Sequence, residues 1–345
     1  MAWLELEVLA GLEPFAVREL QSIGSAPLDV DHGHLRLRSE GASLQAINGL
    51  RSVVAAYLVE HFAIPRPKAL LGDEYLRRVR QMCDRVLVAW PHGTFRTLHL
   101  GAAGAESAVM SRIKRELAQQ LRLETADDGG DLFVRIRRAP GGWQVLVRTS
   151  PRPLSARAWR VCNLPGALNA TAAHSMVALT EPVDSEVFVN VGCGSGTLLI
   201  ERLAVRPARR VIGYDLDEHA LSCARTNADA SGYGAAIELA LCDARSLPLE
   251  SASVRSLVAD LPYAMLLGSG QDNASLYPDL LREAARVVMP GGHAVVITTQ
   301  NRLMRGVLER VFDEWDLEAR VPVKIAHRGG FITPNICSLV RRHRV

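Results

Sequence analysis

The stretch "EVFVNVGCGSGTLLIERLAV", Glu186 to Val205, changes character twice within twenty residues. Val187, Phe188, Val189 and Val191 form a short run of branched and aromatic apolar residues, the composition of a buried strand. Glycines follow at 192, 194 and 196, and the segment from Thr197 to Val205 then has the composition of a helix. A glycine turn between strand and helix lets the main chain come close to a ligand and leaves amide donors unpaired where the helix begins. The dinucleotide-binding fingerprint sets its third glycine one position later, so this spacing argues against a nicotinamide cofactor.

Working outward, apolar runs recur at "RRVIGYD", "IELALCD", "VRSLVAD", "HAVVITT", "LEARVPVKIA" and "ICSLVRR". With "EVFVNV" they predict seven strands, joined at first by crossover helices such as Glu218 to Ala230. Leu280, Leu281, Ala284, Ala285 and Val288 have helical spacing, and that helix is expected to stop at Pro290, Gly291 and Gly292. The last connection, "HRGGFITPN", is too short for a crossover helix, so the final two strands are expected to form an antiparallel hairpin at the sheet edge.

Asp215, Asp243 and Asp260 close the second, third and fourth of these strands. Each has an ordinary reading: Asp215 as a helix N-cap with Asp217 as rival, Asp243 as the start of an Asx turn, Asp260 as a strand terminator. Together with the glycine loop they fall on one rim of a doubly wound sheet, the carboxyl-end crevice where such folds bind ligands. An acid a little over 20 residues past the first glycine suits the ribose of a nucleoside.

The chain has 345 residues, which suits two or three domains, and no stretch long and apolar enough to cross a bilayer. The opening "MAWLELEVLAGLEPF" lacks the features of a secretory signal, so export is not expected. Six cysteines without a CxxC pair suggest neither a zinc site nor a disulfide framework and fit a reducing cytoplasm. Residues 1–180 carry 22 Lys and Arg against 17 Asp and Glu, whereas 181–345 carry 18 against 20. Leu132 to Thr180 contains seven arginines, among them Arg135, Arg137, Arg152, Arg157 and Arg160, and no carboxylate. That concentration suits phosphates, or else a solvated arginine-rich strand face. Upstream of residue 150 the pattern suggests two small α+β units. The first has a helix from about Glu13 to Ile23, the strand "HLRLR" and a helix at "SLQAINGL". The second has the strand "FRTLHL", a helix at "ESAVMSRIKRELAQQL" and the strands "DLFVRIRR" and "WQVLVRTS".

"NVGCGSG", "VIGYDLD", "LCDARSLP" and "ADLPYA" resemble, in that order, the motifs of the Rossmann-like S-adenosylmethionine-dependent methyltransferases. "GLEPFAVRELQSIG" resembles the opening of the N-terminal ferredoxin-like region of THUMP-containing RNA-modifying enzymes, and "LSARAWRVCNLPGALNATAAHSMVALT" resembles the segment by which they enter their methyltransferase domain. The chain thus resembles the THUMP-containing tRNA guanine-N2 methyltransferases. The resemblance implies a ferredoxin-like region over 1–60, a THUMP domain over 61–150, a linker over 151–180 and an α/β methyltransferase domain over 181–345. It also implies S-adenosylmethionine as cofactor with no metal, structured RNA, chiefly tRNA, as partner, and methylation of a guanosine N2 amine. Ribosomal RNA guanine, an adenine N6, or a non-catalytic RNA-binding scaffold are the alternatives.

By position, the family's cofactor contacts fall on Asn190, Gly192, Cys193, Gly194, Gly196, Thr197, Asp215, Leu216, Asp243, Ala244 and Asp260. In this carry-over Gly192 and Gly194 meet the methionine part, Asp215 the ribose and Asp243 the adenine amine. The catalytic tetrapeptide falls on Asp260, Leu261, Pro262 and Tyr263, with Leu where the common motif has its first Pro. An exocyclic guanine amine is a poor nucleophile because its lone pair is delocalised. The motif is therefore expected to orient it: Asp260 and a backbone carbonyl near Leu261 or Pro262 accept the two hydrogens, and Tyr263 stacks on the extruded base. His174 and Asn169 resemble positions near the cofactor or its target in relatives, although such residues more often cap or pack a helix.

Overall fold

The computed structural model describes residues 2–262, 270–327 and 330–343. The chain divides into two compact units, one of Met1–Val8 with Glu13–Ala156, the other of Leu9–Leu12 with Arg157–Val345.

In the first unit, β1 (Trp3–Val8), β2 (Asp29–Asp31), β3 (His34–Arg38), β4 (Val53–Phe62), β5 (Thr97–Ala102), β6 (Glu124–Thr125), β7 (Leu132–Ala139) and β8 (Gly142–Arg148) form one sheet. Their order is β2-β3-β1-β4-β8-β7-β5-β6. The helices are α1 (Glu13–Ser22), α2 (Leu44–Asn48), α3 (Asp73–Leu87) and α4 (Ala108–Leu121). The period of two in "HLRLR" does what alternation implies, burying Leu35 and Leu37 and exposing His34, Arg36 and Arg38. β4 pairs with β1 on one side and β8 on the other, so the two α+β units expected from the sequence share a sheet.

The second unit contains α5 (Ala170–Leu179), β9 (Val187–Val191), α6 (Thr197–Val205), β10 (Arg210–Asp215), α7 (Glu218–Ala230), β11 (Ile237–Leu241), β12 (Val254–Asp260) and α8 (Gly270–Val287). It continues with β13 (Val288–Thr298), α9 (Asn301–Arg310), β14 (Trp315–Pro322), β15 (Ile325–His327), β16 (Gly330–Ile332) and β17 (Asn335–Arg341). Seven of these strands make a sheet of order β11-β10-β9-β12-β13-β17-β14. β9 to β13 run parallel, and every residue of β9 is buried, as a strand covered on both faces requires. β17 lies antiparallel between β13 and β14, so the expected hairpin forms and β14 takes the edge. Its connection carries a small ladder of its own, β15 against β16.

The helix before β13 ends earlier than its sequence suggests. Val288 already pairs with Val254, and the ladder then slips past Pro290 to Gly292. Gly291 has φ +76°, and a side chain on Gly292 would strike the Arg255 carbonyl at 2.6 Å, so the glycines allow a bulge inside the strand. The tetrapeptide Leu9–Leu12 belongs to the second unit, where the Lys324 amide donates to the Ala10 carbonyl at 2.9 Å. Gly11 has φ +100°, and a Cβ there would lie 1.9 Å from the Pro322 carbonyl oxygen.

One expectation is corrected outright. Cys162 and Cys223, 61 residues apart in the sequence, are joined in a disulfide with their Cα atoms 5.5 Å apart. No local spacing signals this pair, because the fold alone brings α7 under the segment that precedes α5. Among the described residues no helix is long and apolar enough to cross a membrane.

Candidate active site

The turn between β9 and α6 is shaped by its glycines. Gly192 and Gly194 have φ of +60° and +52°, a region that costs other residues strain, and a Cβ on either would meet no atom within 4 Å. The main chain there borders open space. Gly194 donates its amide to Asp215 Oδ2 at 2.8 Å, and Cys193 donates to the Tyr214 carbonyl at 2.9 Å, so the loop is fastened to the end of β10.

These groups border a cleft of about 710 Å³ in the second unit, together with Asp243, Asp260 and the segment from Asn163 to Leu168. That volume is ordinary for a cofactor-sized ligand. Asp215 Oδ1 also accepts from the Asp217 amide at 3.1 Å, while Asp217 itself caps α7 by accepting from His219 N at 2.8 Å. The rivalry for the N-cap is thereby decided, and Asp215 is oriented from two sides with lone pairs directed elsewhere. Asp243 is gripped by Arg245, whose amide and guanidinium lie 2.9 and 2.6 Å from its oxygens and hold the carboxyl below its usual range. It stays an ionised acceptor.

Asp260 ends β12 on the rim of the same cleft, followed by Leu261, whose amide donates to the Ile297 carbonyl at 3.0 Å. The Pro262 carbonyl accepts two bonds from α8, from Asn273 Nδ2 at 3.1 Å and from the Tyr277 hydroxyl at 3.0 Å. Tyr277 is fully buried and stands 2.8 Å from Thr298 Oγ1 at the end of β13. With its single proton on Pro262, the phenol oxygen receives the threonine proton in turn. Burial pushes the Tyr277 phenol up, so it remains a donor. Sequence reasoning missed this pair, although positions 273 and 277 are four apart on a helix and so share a face.

Gly192, Cys193, Gly194, Thr197, Asp215, Leu216, Asp243, Ala244, Asp260, Leu261 and Pro262 all border the cleft. Tyr263 lies outside the described residues. Two expected contacts are corrected. Asn190 is fully buried between strands, where its Nδ2 donates to the Val258 carbonyl at 3.1 Å and ties β9 to β12. Gly196 turns toward α7, where a Cβ would press on Ala224 at 3.2 Å.

The arginines divide. Arg157, 7% exposed, donates from Nε to the fully buried Glu201 at 2.8 Å, and Arg160 donates to the Leu168 carbonyl and to Thr197 Oγ1 at 2.9 and 2.8 Å. Burial lowers the Arg160 pKa. Both were expected at RNA phosphates; Arg157 is instead paired in the interior, where a buried charge needs a fixed partner, and the half-buried Arg160 is committed to Leu168 and Thr197. Arg135 pairs with Glu7 at 3.2 Å and Arg137 with Glu5 at 2.6 Å, both partly exposed, while Arg152 is exposed. Asn169 caps α5 by accepting from Thr171 N at 2.9 Å, and the largely buried His174 stands 3.6 Å from Glu201; neither borders the cleft.

Residues 157–328 match the family model described as the RMKL-like, methyltransferase domain. The chain is 28% identical over 318 residues to a tRNA (guanine(6)-N2)-methyltransferase of Thermus thermophilus, covering 89% of this chain and 92% of that protein. It is 23% identical over 351 residues to a tRNA (guanine(6)-N2)-methyltransferase of Methanocaldococcus jannaschii, covering 87% and 91%. Among solved structures, TrmN from Thermus thermophilus superposes with a TM-score of 0.74 at 23% identity, covering 99% of this chain and 100% of that one.

Proposed function

Because the chain belongs, through residues 157–328, to the RMKL-like methyltransferase domain family, we propose that it transfers a methyl group from S-adenosylmethionine to the N2 amine of a guanosine in tRNA, at position 6. The nucleotide and its position rest on the names of relatives matched over most of their length. The chemistry rests on one observation: a strand-end carboxylate, Asp260, shares a single cleft with a glycine loop and two further strand-end acids.

The residues suit that cofactor. Gly192 and Gly194 present backbone without side chains, Asp215 offers acceptors to the ribose hydroxyls, and Asp243 offers an ionised acceptor to the adenine amine. The bound sulfonium supplies the electrophilic methyl carbon, so the chain's own task is to orient the acceptor amine. Asp260 accepts one amine hydrogen. The Pro262 oxygen already takes two donors from α8, which directs the second amine hydrogen to the Leu261 carbonyl. Both acceptors would polarise the N–H bonds and fix the orientation of the amine nitrogen. A paired guanine must first leave its stack, at a cost of about a few kcal/mol.

Incubation with labelled S-adenosylmethionine and unmodified total tRNA, followed by nucleoside mass spectrometry, is expected to yield N2-methylguanosine mapping to position 6. Label confined to ribosomal RNA, or appearing as N6-methyladenosine, would replace the acceptor. Cofactor binding with no methylated RNA would turn the reading into a scaffold.

A further inference from the structure

The segment Val161 to Leu168 runs along the cleft as a strap, with Asn163, Leu164 and Leu168 among the residues that border the space. Three fasteners hold it, and none of the side chains involved on α7 touches the cleft. Asn227 is fully buried and uses its whole hydrogen-bonding capacity: Oδ1 accepts from the Val161 and Cys162 amides at 3.0 and 2.9 Å, while Nδ2 donates to the Cys162 and Ser195 carbonyls at 2.9 and 3.0 Å. One amide thus stitches the strap to the glycine loop. One turn earlier on the same helix face, Cys223 is bonded to Cys162. At the other end, Arg160 bonds the Leu168 carbonyl and Thr197, the first residue of α6.

We propose that Asn227 is a positioning residue for the cofactor cleft, and that the Cys162–Cys223 bond is a second, redox-dependent fastener of the same strap. The proposal rests on the cofactor reading given above. With both fasteners closed, the strap is already ordered when the cofactor arrives. With the sulfur bond open, part of that ordering is paid at binding, and affinity falls. Cys162 is partly exposed and Cys223 buried, so an attacking thiolate meets the Cys162 sulfur. It forms a mixed disulfide there and expels Cys223, which takes a proton. A second thiol of the reductant then resolves the mixed disulfide, leaving two protein thiols and one oxidised dithiol. Glutathione disulfide runs the same exchange in reverse.

The test uses the full chain and S-adenosylhomocysteine as probe, with affinity measured calorimetrically and amide hydrogen exchange followed at residues 161 and 162. Asn227→Ala is expected to weaken binding about tenfold and to raise KM for S-adenosylmethionine with little change in kcat. Reduction of the wild type with dithiothreitol is expected to weaken binding about threefold and to speed exchange at the strap. Cys223→Ser, which exchanges the sulfur for an oxygen, should match the reduced wild type and ignore the reductant. A non-reduced digest should contain a peptide linking Cys162 to Cys223. Absence of that peptide, or equal affinities with and without reductant, would overturn the redox fastener; unchanged affinity and exchange in Asn227→Ala would overturn the positioning role. If the wild type binds no S-adenosylhomocysteine, the cofactor reading fails, and hydrogen exchange in the same samples still decides whether Asn227 and the disulfide hold the strap.

Discussion

Asp260 borders the cleft, and Tyr277 is buried behind it with its hydroxyl on the Pro262 carbonyl. Replacing Asp260 with Ala removes the acceptor that aims the amine while leaving the glycine loop and Asp215 in place. The expected result is a fall in kcat of at least about 100-fold with S-adenosylhomocysteine affinity within about threefold of wild type, read by single-turnover kinetics and calorimetry. Near-native kcat would sink the proposed mechanism. Tyr277→Phe keeps the ring in its fully buried slot and removes the hydroxyl that donates to Pro262 and accepts from Thr298. With Asn273 still bonded to that carbonyl, kcat should drop about tenfold while KM for the cofactor stays put. An equal loss in both would mean that the tyrosine supports the fold and not the tetrapeptide.

Among the elements, α6 carries the most. Its N-terminus meets the glycine loop, and its far end is held by Arg202, which donates to the Arg206 carbonyl at 2.6 Å and to the Val183 carbonyl at 2.8 Å. The same guanidinium pairs with Glu186, just before β9, and Glu186 in turn accepts from Ser256 on β12 at 2.6 Å. Arg202→Ala leaves a buried carboxylate without its cation and should cost about 3–5 kcal/mol, measured by urea unfolding. This is also the scale at which the sequence was most and least informative. β9, β12 and β13 announced themselves as near-continuous apolar runs, because strands buried on both faces cannot alternate, and β10 and β12 end in acids. β4 is likewise mostly apolar from Val53 to Val59 and is flanked by a strand on each side. α3 was legible in principle, since Leu76, Val79, Met82, Cys83 and Val86 recur at helical spacing and are all buried. What no pattern could reveal were bonds between distant segments: Arg157 and Arg160 read as bare positive charge because Glu201 and Thr197 lie tens of residues away, and Asn227 read only as one polar residue in a helix.

For the whole molecule, two kinds of ligand separate by their response to salt. Binding of tRNA should weaken steeply as salt rises, with log–log linearity, while S-adenosylhomocysteine binding should barely change. Among the arginines singled out at the start, Arg152 is exposed, and Arg152→Ala should reduce the salt slope by about one without altering the modified nucleoside. An unchanged slope would remove Arg152 from the phosphate contacts. The tetrapeptide Leu9–Leu12 bears on how the molecule is made. It lies between β1 and α1 in sequence but belongs to the second unit, where the Lys324 amide donates to the Ala10 carbonyl. On the ribosome these four residues therefore emerge long before the rest of their own unit. The carbonyl of Ala10 finds its Lys324 donor only after the chain has been extended past residue 324.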